Sequence, residues 1–268
     1  MLHPLNITTL NTLTDTHEIY PEWGWRAATG EMTLLCGTAY TVLREGMRGF
    51  SEINSEHNLI ANPSNMGEFV SHTIERGREC VFDVLIRGRD RDELLSLQQK
   101  LIEALSTPGE LLINRDYGRS LALKARCANG YPAIDGGLPK GTLAKHRIAT
   151  IRLFAPDPYF YGAEISAVST DGELTIYNPG DRPAPCTIAC CSREATNETS
   201  GRTISAVTTS TLEGVTIEVS DTSVKITANG ENAARRIAWS SQFWMLMPGK
   251  NELHGVSKIQ FRPRWSGI

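Results

Sequence analysis

A chain of 268 residues has room for one or two domains of ordinary size. Hydrophobic residues make up 40%, enough for a sizeable core, and charged residues 21%, the ordinary globular level. A net charge of -3 excludes bulk attraction to nucleic acid or an anionic membrane, and no apolar run approaches the roughly 18 residues of a membrane span.

The first residues, Met1-Leu2-His3-Pro4-Leu5, lack a basic region followed by an apolar stretch, so no signal peptide is expected. Folding in a bacterial or other cytoplasm follows, and the Asn-x-Thr matches at Asn6 and Asn197 read as chance. Up to about Phe69, glycines punctuate short apolar stretches, which fits short strands and loops. Met32 to Leu43 is the clearest strand there. Ser51 to Gly67 is polar, with Asn54, Asn58, Asn62, Pro63 and Asn65, and reads as an exposed loop.

The pattern then sharpens. Cys80, Phe82, Val84 and Ile86 alternate with Val81, Asp83, Leu85 and Arg87, the period of a strand, which Gly88 ends. A helix over about 91–106 follows. Asp90 and Glu93 make a capping box, because each side chain can accept from exposed N–H groups at the helix start. Leu94, Leu97, Leu101 and Leu105 form an apolar stripe that Leu95 and Ile102 widen, and Pro108-Gly109 stops the helix. Leu111 to Asn114 is a short strand, and Arg115-Asp116-Tyr117-Gly118 a tight turn. Leu121, Leu123, Ala125 and Cys127 mark a half-buried strand. Asn129 to Gly141 is a Gly- and Pro-rich loop, read as a long hairpin connection. His146 to Phe154 is a strand with apolar positions on both faces, so its outer face needs cover from this chain or from a neighbouring subunit.

Pro156 and Pro158 end that strand, since proline cannot donate to a ladder. Beyond Gly162 the chain is rich in Thr, Ser and Val and shows no helical period. Leu174-Ile176, Val215-Ile217-Val219 and Val224-Ile226 alternate with polar residues. Turns fall at Asn178-Pro179-Gly180-Asp181, Asp221-Thr222-Ser223, Asn229-Gly230 and Pro248-Gly249-Lys250-Asn251. Short strands at that spacing predict a β-sandwich. The predicted domains are therefore 1–162 and 163–268.

Residues that could carry chemistry do not form a set. None of the six cysteines (Cys36, Cys80, Cys127, Cys186, Cys190 and Cys191) forms a C-x-x-C pair, and they read as free buried thiols. The histidines (His3, His17, His57, His72, His146 and His254) lack the i, i+4 spacing of a helical metal pair. Asp157, Asp171 and Asp181 could pair as acid and base, yet aspartate is a standard turn residue. No catalytic, cofactor-binding or metal residue is assigned, so no enzyme and no cofactor is expected. Trp239, Phe243, Trp244 and Trp265 admit carbohydrate stacking, against which Phe243 to Met247 reads as a buried strand.

Taken in order, these segments resemble the siphovirus distal tail protein family, also called the phage tail component family. The resemblance rests on Arg89-Asp90-Arg91-Asp92-Glu93-Leu94-Leu95, Gly109-Glu110-Leu111-Leu112-Ile113 and Leu153-Phe154-Ala155-Pro156-Asp157-Pro158-Tyr159-Phe160-Tyr161-Gly162. Tyr177 to Pro185 is similar to the family's N-x-G-d-x-p-x-x-P string, and Leu246 to Leu253 to its L-x-P-G-x-N turn. Coverage runs from about Phe69 to Phe261, and Trp23-Gly24-Trp25 has no counterpart.

The resemblance implies a mainly β chain. Its N-terminal β-sandwich would carry one α-helix and a projecting hairpin, and its C-terminal β-sandwich would be galectin-like or carbohydrate-module-like. It also implies a hexameric ring at the tail tip or baseplate of the virion, assembled in the host cytoplasm. That ring would join the tail tube to the tail hub, hold the tape measure protein in its lumen and anchor other tip components such as a receptor-binding protein. The rival readings are a carbohydrate-binding host-adsorption module and, more weakly, a β-sandwich hydrolase.

Overall fold

The computed structural model describes residues 22–51, 53–61, 68–115, 119–134 and 145–268. These fall into two compact units, 22–162 with Trp265–Ile268, and Ala163–Arg264. His3, His17, Asn6, the N-terminal segment and most of the 115–118 turn lie outside the described residues.

The first unit runs β1 (Trp23–Ala27), β2 (Met32–Leu34), β3 (Tyr40–Arg48), β4 (Ser55–Ala61), β5 (Glu68–Glu75) and β6 (Arg78–Arg87). It continues with α1 (Arg91–Leu105), β7 (Gly109–Arg115), β8 (Arg119–Cys127), β9 (Ala133–Ile134), β10 (His146–Ala155) and β11 (Phe160–Tyr161). Its main sheet follows the path β2-β1-β7-β8-β10-β6-β3. Only two residue pairs, Leu153↔Cys127 and Phe154↔Arg126, join β8 to β10. The path turns there, and its two halves enclose one core with α1.

Alternation puts Trp23 and Trp25 on one face of β1, and both are buried. Trp23 packs edge-on against Phe50 at 5.7 Å and lies 5.9 Å from Phe82. Trp25 donates from Nε1 to the carbonyl of Ala104 at 2.8 Å, satisfying a carbonyl in the last turn of α1. Gly109 is required here, because a Cβ would lie 2.4 Å from the Arg26 carbonyl and 2.7 Å from the Trp25 ring.

Helix α1 has the expected cap. Glu93 N donates to Asp90 Oδ1 at 2.8 Å, and Glu93 Oε2 accepts from Arg89 N at 2.6 Å. Leu94, Leu101 and Leu105 are buried, but Leu95 is 44% exposed, and Gln98 takes the buried place beside the stripe. The apolar face is thus narrower than its leucines suggested. Strand β6 is as expected, with Cys80, Phe82, Val84 and Ile86 all in the core.

Two expectations fail in this unit. Met32 to Leu43 is not one strand: β2 pairs with β1 and β3 with β6, and between them lie a single bridge, Cys36↔Thr41, and a hydrogen bond from Thr41 Oγ1 to the Gly37 carbonyl at 3.0 Å. The supposed loop from Ser51 to Gly67 contains β4, which pairs with β5 in a separate two-stranded sheet. Its described side chains are mostly exposed and polar, so the ladder left no apolar alternation to read. Within the 129–141 loop, β9 pairs with β10, while 135–144 lies outside the described residues.

The second unit runs β12 (Ile165–Val168), β13 (Glu173–Asn178), β14 (Cys186–Cys190), β15 (Glu194–Asn197), β16 (Arg202–Ser205), β17 (Val215–Val219), β18 (Val224–Ala228) and β19 (Glu231–Asn232). A 3-10 turn (Ala234–Arg236), β20 (Gly249–His254) and β21 (Val256–Phe261) complete it. A six-stranded sheet, β12-β21-β14-β17-β18-β19, and a four-stranded sheet, β13-β20-β15-β16, pack as the predicted sandwich around Ile188, Ile204, Ile217, Trp244, Leu246 and Ile259. Asn229 (φ 53) and Gly230 (φ 84) both take left-handed backbone, as the tight β18–β19 turn requires. Phe243 to Met247 is buried at Trp244 and Leu246 but is not a strand; one bridge, Ala184↔Leu246, holds it. A final strand, β22 (Arg264–Trp265), pairs with β11, and Trp265 and Ile268 pack against the first unit's core.

Candidate functional site

The residues considered for chemistry are dispersed and locally satisfied. Asp157 accepts from Tyr159 N at 3.2 Å and from the Tyr161 hydroxyl. Asp171 accepts from the Ser169 hydroxyl, which holds its carboxyl below the ordinary carboxylate range, and from Glu173 N at 3.1 Å. Asp181 N closes on the Arg264 carbonyl at 3.0 Å. The carboxylates of Asp157 and Asp171 thus serve turns. His254 lies 3.7 Å from Glu173, and no group of three His, Cys, Asp or Glu among the described residues could hold a metal. Burial pushes the thiols of Cys80, Cys186 and Cys190 up to about 12, so they stay protonated. Cys191 alone among the six is exposed.

The strings that carried the resemblance have structural work in common. Phe160 is fully buried and stacks on Phe50 at 6.4 Å, with the Arg78 guanidinium 4.7 Å from its ring centroid. The buried Arg78 side chain donates to the carbonyls of Gly49, Phe50 and Ser266. In the second unit the asparagines of both strings are buried. Asn178 donates to the carbonyls of Arg182 (3.2 Å) and Leu246 (3.0 Å) and accepts from Gly180 N (3.0 Å). Gly180 has no room for a side chain, since a Cβ would lie 2.3 Å from the Arg264 carbonyl. Asn251 donates to Met247 O (2.7 Å) and Gly249 O (3.1 Å), and its Oδ1 accepts from Met247 N (3.0 Å) and Asn197 Nδ2 (3.3 Å).

Two surfaces of the first unit stand out. One is the β4–β5 hairpin, whose Leu59 and Ile74 are 51% and 43% exposed. The other is the outer face of β3-β6-β10. There Ile148 sits opposite Leu85 and Thr150 opposite Asp83, with Thr150 Oγ1 donating to Asp83 Oδ1 at 2.6 Å. Thr41 and Leu43 extend these rows across β3. Leu43, Val81 and Leu85 are half-buried and Ile148 is exposed, so the described residues cover this face only in part. In the second unit Trp239 is fully exposed, whereas Trp244, in the segment expected to be buried, lies in the core.

The described residues therefore form a two-part β protein whose motif residues hold turns and buried backbone groups. Residues 180–265 match the family model described as "Siphovirus-type tail component, C-terminal domain". Over most of its length the chain shares the fold of the Dit (gp 19.1) protein of phage SPP1, described as a paradigm of the hub adsorption apparatus in phages infecting Gram-positive bacteria. That likeness has a TM-score of 0.64 at 17% identity, over 91% of this chain and 98% of that one. Chains of the phage p2 baseplate in its activated conformation, with Sr and with Ca, give TM-scores of 0.47 and 0.44 at 8% identity, each over 92% of this chain. No curated protein matches the chain in sequence. The resemblance to siphovirus distal tail proteins thus holds in sequence over 180–265 and in fold over 91% of the chain.

Proposed function

We propose that this chain is a structural distal tail protein and not an enzyme. In this reading its copies close into a hexameric ring at the tip of a phage tail, which links the tail tube to the baseplate hub around the tape measure protein. It would also anchor other tip components and take its place in the virion after assembly in the host cytoplasm. The observation that carries the reading is the family match over 180–265, joined to a shared fold along nearly all of the SPP1 protein.

Physical features support it. A closed ring needs two different patches that complement each other on successive subunits. A two-stranded ribbon is marginal by itself in water, and its unpaired edges invite pairing. The β4–β5 hairpin is such a ribbon, and the outer face of β3-β6-β10 is a mixed surface on which Ile148 stands exposed beside half-buried Leu43, Val81 and Leu85. The strand His146–Ala155 lies in that face.

Multi-angle light scattering of the purified chain tests this. A discrete species of about six chains is the expected result. The double variant Leu59→Asp/Ile74→Asp should release monomers with unchanged circular dichroism. A stable monomer at tens of micromolar concentration, with the native fold, would overturn the ring. A second reading, host-wall carbohydrate binding by the second domain, is favoured by one observation, the fully exposed Trp239.

A further inference from the structure

We propose that Trp239 and the arginines beside it form a binding site for an acidic polysaccharide, a deepening that rests on the carbohydrate reading just given. The site is built by the chain from Arg236 to Phe243, which runs along the free edge of β16. Val207 N donates to Arg236 O at 2.9 Å, Ala238 N to Ser205 O at 2.8 Å and Gln242 N to Thr203 O at 2.9 Å. Ala206↔Ile237 form a bridge in the same alignment.

Trp239 follows Ala238 in a tight turn, where Ser241 N donates to Ala238 O at 3.0 Å. The turn is pinned from below. Ser241 Oγ donates to Ser205 O at 3.1 Å and accepts from Ser205 N at 3.0 Å. Turn positions favour Pro, Asp, Ser or Gly, and a large indole at the apex gains nothing for the fold. Here it is a flat apolar plate held on a rigid support, so little ordering is left to do when a ligand arrives.

The surroundings decide what the ligand is. Arg193, Arg202, Arg235 and Arg236 are all exposed along this edge. Two of them are braced by the backbone they flank: Arg193 Nη2 donates to Thr208 O at 2.8 Å and Arg202 Nη1 to Phe243 O at 3.1 Å. The only carboxylate on β15 or β16 is Glu194, which accepts from the Ser205 hydroxyl at 3.3 Å. Ser240, Gln242, Thr208 and Thr209 add exposed hydroxyl and amide groups.

A protein partner would call for a contiguous apolar patch around its tryptophan anchor. No other large apolar side chain on this edge is exposed. A sugar ring offers what the edge does lack: a face of C–H bonds for the indole, hydroxyls for the polar groups, and carboxylates or phosphates on the polymer for the guanidiniums.

Affinity electrophoresis of the full chain through polygalacturonate, dextran and poly-L-glutamate tests the site. Retardation by polygalacturonate is expected, lost in Trp239→Ala, weakened about tenfold in Arg235→Gln/Arg236→Gln and weakened by salt. Both variants change exposed side chains, and circular dichroism checks that they fold. Equal retardation by poly-L-glutamate would mean charge alone is read and would overturn the site. Equal retardation by dextran, still lost in Trp239→Ala, would overturn the acidic specificity while the carbohydrate reading stood. No retardation by either polysaccharide would overturn both.

Discussion

The buried asparagines do work that no apolar residue of similar size could do. Asn251 alone ties three backbone groups of the Met247–Gly249 turn and a second asparagine into one network. Replacing it with Ala would strand Met247 N and two carbonyls inside the domain, and a stranded buried polar group costs about 1–3 kcal/mol. The expected loss for Asn251→Ala is about 3 kcal/mol of unfolding free energy in urea. Asn251→Asp should do no better, since a carboxylate cannot donate to Met247 O and Gly249 O. Cys186 shows a different residue-scale effect. Its thiol ordinarily titrates at 9.0, and burial raises it to about 12 in the fold. A raised folded value means stability that is full below about pH 9 and falls as pH rises toward about 12. The denaturation midpoint should therefore drop between about pH 8 and pH 10.5, and Cys186→Ala should make that drop smaller. An equal drop in the variant would assign the alkaline loss to other groups.

At the scale of elements, legibility followed burial on one side. Strand β6 and helix α1 could be read because each puts a regular apolar row against a core and ends on glycine or proline chemistry. Leu95 misled because periodicity cannot tell an exposed leucine from one at the edge of a buried stripe. The β4–β5 hairpin was illegible for the opposite reason. A ribbon with mostly exposed, polar side chains has no buried face to impose a period of two, so only its asparagines showed, and these spoke for a loop. Trp23 and Trp25 were visible, but a single Gly between them hid a strand whose partner β7 lies far along the chain. The motif asparagines were legible as turn residues, whereas their burial was not, because it depends on strands from distant segments. The hairpin also yields a prediction. Unsupported ribbons open with little free energy. Protease should cut the free chain first within 55–75, and assembly into a ring should protect that segment. Equal cleavage of free and assembled protein would remove the hairpin from the list of ring contacts.

For the whole molecule, the two hydrophobic cores share no residue. Each unit therefore carries its own cooperative unfolding unit, and calorimetry should resolve two transitions rather than one. The last residues of the chain add a more pointed test, because they belong with the first unit although the second precedes them in sequence. Trp265 and Ile268 pack on the first core, Ile268 N donates to Phe50 O at 3.0 Å, and the buried Arg78 donates to Ser266 O. Removing 265–268 would strip those partners from Arg78 and Phe50 and open the aromatic cluster around Phe160. A cost of about 3 kcal/mol is expected, from lost packing and a buried cation left short of one acceptor. That cost should fall on one transition only. Asn251→Ala, placed in the other core's turn network, should move the other transition and so identify which is which. If removing 265–268 lowered both transitions equally, the two units would unfold as one, and the segment would act on the molecule as a whole.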